Sequence, residues 1–415
     1  MEAREPRRGA VAFIFVTVML DMLALGMIAP VLPKLVVTFL GGDTGRASEV
    51  FGVFGTAFAL MQFVFSPLLG VLSDRFGRKP LIVLSNLGLG LDYVVMALAP
   101  NVAWLFAGRV VAGITSASAT VAGAYVADVT PPEKRAAGFG MIGAAFGLGF
   151  ILGPAVGGLL SGADPRLPFW VAAGFSLLNG VYGAIVLPES LPRELRTAAF
   201  GLRKANPLGS LRLLRSHREL FGLAGVSFAS MLAGVVLPST FVLYVTYRYG
   251  WDQRAVGLSL ALVGLASVLV QGALIGPAVR RLGERRALVA GLAFGAAGMA
   301  LYGVAPNGWL FSLGTVVMSL WGLAASAQQI MTRRVAASEQ GELQGAIGSL
   351  RGIAALIGPA LFTLTFSAFV GPLRAWNLPG APWLLAALLM GAAIAPAWRV
   401  TRPESEPLLS AAVRI

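Results

Sequence analysis

The sequence predicts an all-α membrane protein whose twelve transmembrane helices form two six-helix bundles. Three observations carry that expectation. Of 415 residues, 57% are hydrophobic and only 12% charged, with a mean hydropathy of +0.78, whereas a soluble domain carries roughly 25% charged residues. Apolar stretches of about 20 residues, enough to cross ~30 Å of hydrocarbon, recur along the whole chain. One long polar stretch, rich in Arg and Pro, divides them in half. The boundaries follow: 1–187 for the first bundle, 188–219 for a cytoplasmic connecting loop, 220–400 for the second bundle and 401–415 for a cytoplasmic tail. Halves of this kind are parallel repeats related by an axis along the membrane normal.

The expected spans are 11–32, 50–72, 81–99, 102–126, 138–160, 167–187, 221–244, 256–279, 287–305, 309–330, 345–370 and 383–398. The first is too long for a cleavable signal peptide, contains Asp21 and lacks a small-residue cleavage site. Asp21 lies near its middle, and Asp92 lies in the middle of the third span. A carboxylate facing lipid is costly, so each should face a cavity or a partner. Such a group can take up a proton in one state and release it in another. The alternative is a structural hydrogen bond, for Asp92 to a neighbouring backbone or to Arg109. Gln62 in the second span and Gln271 in the eighth can offer uncharged hydrogen bonds to a substrate, or serve as polar glue between helices.

Between the second and third spans, residues 70–80 read G-V-L-S-D-R-F-G-R-K-P. Gly70 would let a neighbouring helix approach, and Gly77 would permit a sharp turn at positive φ. Asp74 can oppose the positive end of a nearby helix N-terminus. Arg75 and Arg78 can reach acids such as Asp128, at the end of the fourth span. These contacts would latch one side shut in one state and break in the other; a plain basic turn is the alternative. In the fourth span, Arg109 would cost roughly 2.5–3.5 kcal/mol if central. It either snorkels to the surface or acts as a fixed cation that tunes a carboxylate during proton exchange. The fifth span carries Gly149-Phe-Ile-Leu-Gly153-Pro154-Ala-Val-Gly157-Gly158. Glycines four apart share a face and let backbones pack closely, and Pro154 removes one helical hydrogen bond.

The second half repeats part of this plan. Residues 276–286 match 70–80 in the spacing of Gly, Arg and Gly, but Arg280 stands where Asp74 does. The first copy is therefore the expected working latch. Arg351, about two turns into the eleventh span, either snorkels or presents a guanidinium that favours an anionic group or pairs with a carboxylate.

Charge sets topology. Placing the N-terminus in the cytoplasm sorts Lys and Arg about four to one onto the inner loops and tails, as the positive-inside rule requires. The net charge of +13 is then a topology signal with anionic lipid as its partner, and no nucleic acid is expected. The chain has no cysteine, and its one histidine, His217, lies in the polar stretch before the seventh span. A proton relay inside the membrane must then use carboxylates. No nucleophile–base set, metal-ligand cluster or phosphate loop appears, so neither an enzyme nor a cofactor is expected, and the expected partners are a small-molecule substrate, protons and the bilayer around a monomer.

These residues resemble the twelve-helix drug:H⁺ antiporters of the major facilitator superfamily, and within it the tetracycline exporters. The resemblance runs through Leu20-Asp21, Pro30-Val-Leu-Pro33, Leu60-Met-Gln-Phe63, Ser73 to Pro80, Leu91-Asp-Tyr93, Gly108 to Thr115, Ala122 to Asp128 and Leu187-Pro-Glu-Ser190. In the second half it includes Gly276-Pro277, Arg281 to Ala287, Gln340 to Gly345 and Ile357-Gly-Pro359. It implies a major facilitator fold and places Asp21 and Asp92 at membrane acids that handle substrate and proton. It puts Asp74, Arg75 and Arg78 at gating-loop positions and makes Gly149 to Gly158 an antiporter motif. Two departures stand out: the family's acid in the ninth helix is absent, with Gly295 near its place, and Arg351 stands where a small neutral residue is usual. The expected function is a proton-coupled efflux antiporter in a bacterial inner membrane, exporting a small amphiphilic drug such as tetracycline by alternating access. A different drug or metabolite, and a nutrient symporter of the same superfamily, remain as alternatives.

Overall fold

The computed structural model describes residues 8–116, 118–196, 209, 211–216 and 218–401. His217, residues 197–208 of the connecting stretch and the tail beyond 401 lie outside the described residues. Among the described residues no strand is present. Seven apolar helices cover the first half and the start of the second: α1 (Ala12–Phe39), α2 (Thr44–Phe76), α3 (Arg78–Leu98), α4 (Val102–Val129), α5 (Ala137–Leu160), α6 (Leu167–Val186) and α7 (Leu220–Tyr249).

Next comes one helical run of 52 residues, Gln253–Val304. At 1.5 Å per residue it would extend ~78 Å, more than twice the ~30 Å of a hydrocarbon core. Its backbone breaks at Gly283, with φ 74° and ψ 157°. We therefore divide it into α8 (253–282) and α9 (284–304), each long enough to cross. Three more spans follow: α10 (Gly308–Arg333), α11 (Gln340–Val370) and α12 (Ala381–Val400). The twelve expected spans depend on this division, since among the described residues the helical runs long and apolar enough to cross number 11.

The repeat is visible in the backbone. Gly77, between α2 and α3, has φ 107° and ψ 160°, close to the conformation of Gly283, in a region that essentially only glycine occupies. Helix starts repeat as well. The Asp43 and Asp252 carboxylates accept from Arg46 N–H and Ala255 N–H at the starts of α2 and α8. Asn101 and Asn307 cap α4 and α10 in the same way. Each cap satisfies a helix N–H that would otherwise lack a partner.

Several spans are less regular than their composition suggests. α1 passes a turn near Pro30 and restarts at Leu32, with Pro33 in its first turn, where a proline costs no helical hydrogen bond. Within α10, Leu320–Ala325 tightens to a 3₁₀ turn, and within α8, Val270–Leu274 widens to a π turn.

Buried apolar clusters each draw on one half. Ile14, Ile82 and Tyr125 form one and Met27, Phe54 and Phe169 another, all from the first half. Tyr244, Phe311 and Trp383, and separately Leu223, Leu292 and Leu343, come from the second. Between halves, α2 packs on α11 and α5 on α8. A Cβ at Gly55 would stand 2.8 Å from Pro359 Cβ, and one at Gly158 would stand 3.2 Å from Gly257 Cα. Ser48 Oγ donates to Thr363 O at 2.9 Å, Ser367 Oγ to Glu49 Oε1 at 2.8 Å and Lys34 Nζ to Gln253 Oε1 at 3.1 Å. These hydrogen bonds join the halves at the end opposite Gly77 and Gly283.

Gly70 differs from its expected role: a Cβ there would meet nothing within 4 Å, because its face is open in this arrangement of the helices. The two loop glycines should thus respond differently to alanine. Gly77→Ala forces a glycine-only conformation and should cost on the order of 1–3 kcal/mol, read as a lowered melting temperature in detergent, while Gly70→Ala should melt with the wild type. Equal melting of Gly77→Ala and wild type would show that the turn is not held at positive φ.

Candidate functional site

Residues that carry polar chemistry gather in three places: the loop at Gly77, a buried set inside α1, α3, α4 and α6, and a cavity built mainly by α7–α11.

At the loop, Arg78 is the hub. It follows Gly77 directly and starts α3, so its side chain lies against the end of α2 and the end of α4. Its guanidinium pairs with Asp74 and receives support from Ser73 Oγ, and its Nε donates to Asp128 Oδ2 at 3.1 Å. Ser190 Oγ donates to the same Asp128 oxygen at 3.0 Å. The acid at the α3 N-terminus is not Asp74, as expected from sequence, but Glu189: Arg78 N–H donates to Glu189 Oε1 at 2.8 Å. Asp74 is one helical turn from Arg78 and spends its charge there. Glu189 also meets Arg196 at 3.6 Å. Arg75 does not reach Asp128; it is exposed and lies over its neighbour Phe76. These partners come from the first half and from the start of the connecting stretch, and none comes from the second half. Glu189 was missed by sequence reasoning, although an acid closely following the last helix of a bundle is a readable signal for a helix-capping partner.

The second copy of the loop is not bare. Glu284 stands directly after Gly283, in the place of Arg78, and pairs with Arg333 at the end of α10 at 3.1 Å. Arg333 is 77% exposed, so this pair is worth little in stability. The polarity is reversed relative to Arg78–Asp128, which the sequence comparison at Arg280 did not reveal.

Both membrane acids are buried, Asp21 at 3% exposure and Asp92 at 1%. Asn179 Nδ2, on α6, donates to Asp21 Oδ1 at 3.1 Å and also to Thr17 O. Asn86 on α3, with its amide nitrogen turned toward the acid, donates to Asp21 Oδ1 at 2.7 Å. Asp21 thus joins α1, α3 and α6. Neither asparagine was singled out from sequence; an amide one face away from a membrane acid was the available cue. Asp92 Oδ2 accepts from Arg109 Nη2 at 3.1 Å, while Asp92 Oδ1 is buried without a hydrogen bond. Arg109 does not snorkel: it is buried and also lies 5.8 Å over the Phe58 ring.

Along α5, Gly149 and Gly153 face α1. A Cβ at Gly153 would stand 2.7 Å from Gly26 Cα, and one at Gly149 would stand 2.8 Å from Leu23 N. Gly157 lies against Met27, and Pro154 O and Gly158 face Gly257 of α8. One glycine-rich helix therefore touches the backbones of both halves.

The cavity holds about 410 Å³ and is lined by Gln271 and Arg351, with Trp321, Gln328, Ser227 and Phe150 among its other walls. Gln62 is not among its lining; its amide donates to Ser116 Oγ at 3.1 Å and ties α2 to α4. Among the described residues no cluster of His, Asp or Glu suited to a metal ion occurs.

The Major Facilitator Superfamily model matches residues 14–359 and 220–414. The chain is 38% identical over 381 residues to the class C tetracycline resistance protein of Escherichia coli, covering 92% of this chain and 94% of that one. It is also 38% identical to the class G tetracycline resistance protein of Vibrio anguillarum, covering 89% of this chain and 92% of that protein. Among solved structures, the human organic anion transporter MFSD10 matches with a TM-score of 0.69 and 26% identity, covering 95% of this chain and 100% of that one.

The buried pair makes a testable demand. Asp92→Asn leaves the Arg109 charge without its partner and should cost about 3–5 kcal/mol, seen as a large fall in melting temperature. The double variant Asp92→Asn with Arg109→Gln should recover much of that loss. Wild-type melting of Asp92→Asn would mean that the pair does not hold α3 to α4.

Proposed function

The chain belongs to the major facilitator superfamily of membrane transporters, and from that premise we propose that it is a proton-coupled efflux antiporter that exports a small amphiphilic drug, tetracycline being the first to test. It works as a monomer in a bacterial inner membrane with both termini in the cytoplasm. The moving bodies are residues 1–187 and 220–400, linked by 188–219. The observation that carries the reading is a pair of carboxylates, Asp21 and Asp92, buried inside membrane spans of the first half, where an acid is retained at a cost and marks an ion pathway.

Asp21 exchanges a proton, and the hydrogen bonds from Asn86 and Asn179 hold it where α1, α3 and α6 meet. Asp92 is a second proton acceptor: its protonation would release Arg109, whose charge is otherwise neutralised there. The hydrogen bonds between halves at the end opposite Gly77 support a state sealed on the outside, with the cavity reached from the cytoplasm. Arg78, Asp74, Asp128, Gly77 and Gly70 form the cytoplasmic gate with Arg75 at its rim, and Gly149, Gly153, Pro154, Gly157 and Gly158 let α5 slide against α1 and α8. Gln271 and Arg351 meet the substrate; Gln62 acts through the second span that it fixes to α4.

Inside-out vesicles provide the test. Asp21→Asn should abolish proton-driven uptake of tetracycline, or of whichever drug the wild type carries, while the protein remains in the membrane. Undiminished uptake would remove Asp21 from the coupling. Expression in a pump-deficient bacterium should raise tolerance to tetracycline; tolerance to a different compound alone would assign another drug.

A further inference from the structure

The cavity has a charge that nothing on its walls answers. Among the described residues, Arg351 is the only ionisable one lining it. Among the described residues Arg351 has no ion-pair partner. It stands 11 residues into α11, about 16 Å along the helix axis from Gln340 at 1.5 Å per residue. A guanidinium at such a place is costly and, when retained, faces a pathway or a partner. The membrane acids cannot be that partner here, because Asp92 is bound to Arg109 and Asp21 lies among Asn86 and Asn179.

Other features of the cavity also await a ligand. Ser227 Oγ is buried and lacks a hydrogen bond, on a residue 7% exposed that lines the cavity. A buried hydroxyl without a partner is unfavourable, and a bound group can supply one. Gln271 sits on the π turn Val270–Leu274, a widening that re-aims side chains and is frequent at functional sites. Around these polar groups Trp321, Phe150 and Met231 offer an apolar wall, and the volume is that of a drug-sized site.

We propose that the exported substrate is an organic anion: an aromatic or alkyl body on the Trp321 wall, with one carboxylate-like or sulfonate-like group seated on Arg351 and completed by Gln271 and Ser227. This rests on the reading of the chain as an exporter, since it names the charge class of the molecule that enters the cavity. The ligand supplies the negative charge that the cavity lining lacks.

The test is equilibrium dialysis of the purified full chain, in detergent and without a pH gradient, with three naphthalene probes: 2-naphthoate, its neutral amide and 2-naphthylmethylammonium. Naphthoate should bind about tenfold or more tighter than the amide, in line with a charge-assisted hydrogen bond, and the cation weakest. Arg351→Gln should remove the preference for the anion, while Arg351→Lys, which keeps the charge, should retain part of it. Ser227→Ala should weaken naphthoate binding. Equal affinity for anion and amide in the wild type, a preference that survives in Arg351→Gln, or no binding of naphthoate would each overturn the proposal. Because the measurement needs no proton gradient, it separates from the transport reading. An Arg351-dependent preference without proton-driven flux in vesicles sinks the exporter and leaves the anion site. Proton-driven flux without the preference does the reverse.

Discussion

A hydrocarbon interior offers no solvent to a polar group, so every backbone amide and every charge placed there must find its partner within the protein. The architecture follows from this. It makes the described elements helical, because only a helix satisfies its own backbone inside one segment. It also turns each charged side chain in a span into a fixed joint. Asp92 and Arg109 meet between α3 and α4, and Asp21 draws amides from α3 and α6 onto α1. Removing one member of such a set leaves the others stranded, which is why these contacts define how the first half packs. The second half has a different pattern: Arg351 is presented to a cavity that, among the described residues, has no acid on its walls.

Where helices lack polar joints, they are held by the absence of side chains. α5 approaches α1 through Gly149, Gly153 and Gly157 and approaches α8 through Gly158. In lipid the gain from such contacts comes from dispersion and close backbone approach, since the hydrophobic effect does not favour protein over tails. Contacts of this sort have no directional hydrogen bond to break, so they suit surfaces that slide. The ends of the molecule use the opposite device. Arg78 and Asp128 form a half-buried charged joint within one half, while Ser48, Glu49 and Lys34 bridge the halves at the far end.

Much of this could be read from the chain. Apolar length and sparse charge give the helices, the glycine spacing gives α5, and the Asp21 and Asp92 positions inside apolar runs mark the buried polar sets. What escaped was relational. Nothing local to Asp74 says that Arg78, one turn away, will take its charge and leave Glu189 to meet the start of α3. Asn86 and Asn179 look like ordinary membrane amides until folding puts both beside Asp21. The reversed pair Glu284–Arg333 was hidden because sequence alignment compares like positions for like residues, whereas an ion pair is preserved equally well when both charges change sign.

The placement of the polar groups also bears on how the halves communicate. α5 meets both sets: Gly149 packs against Met22 and Leu23, the residues after Asp21 on α1, and the next residue, Phe150, lines the cavity of the second half. A movement of α1 toward α5, unlike sliding along it, has little room at Gly149, where even a Cβ would come within 2.9 Å of the α1 backbone. It must be passed on to the neighbouring residue, because tight packing transmits displacement instead of dissolving it. On the proposed mechanism, a change in the charge of Asp21 alters how α1 is held by α3 and α6, and α5 is the rigid element in contact with the result. The cavity's aromatic wall is therefore one residue away from the helix seam that a proton would disturb. This geometry needs no substrate contact with either membrane acid, and it accounts for a layout in which the acids sit in one half and the unpaired guanidinium in the other.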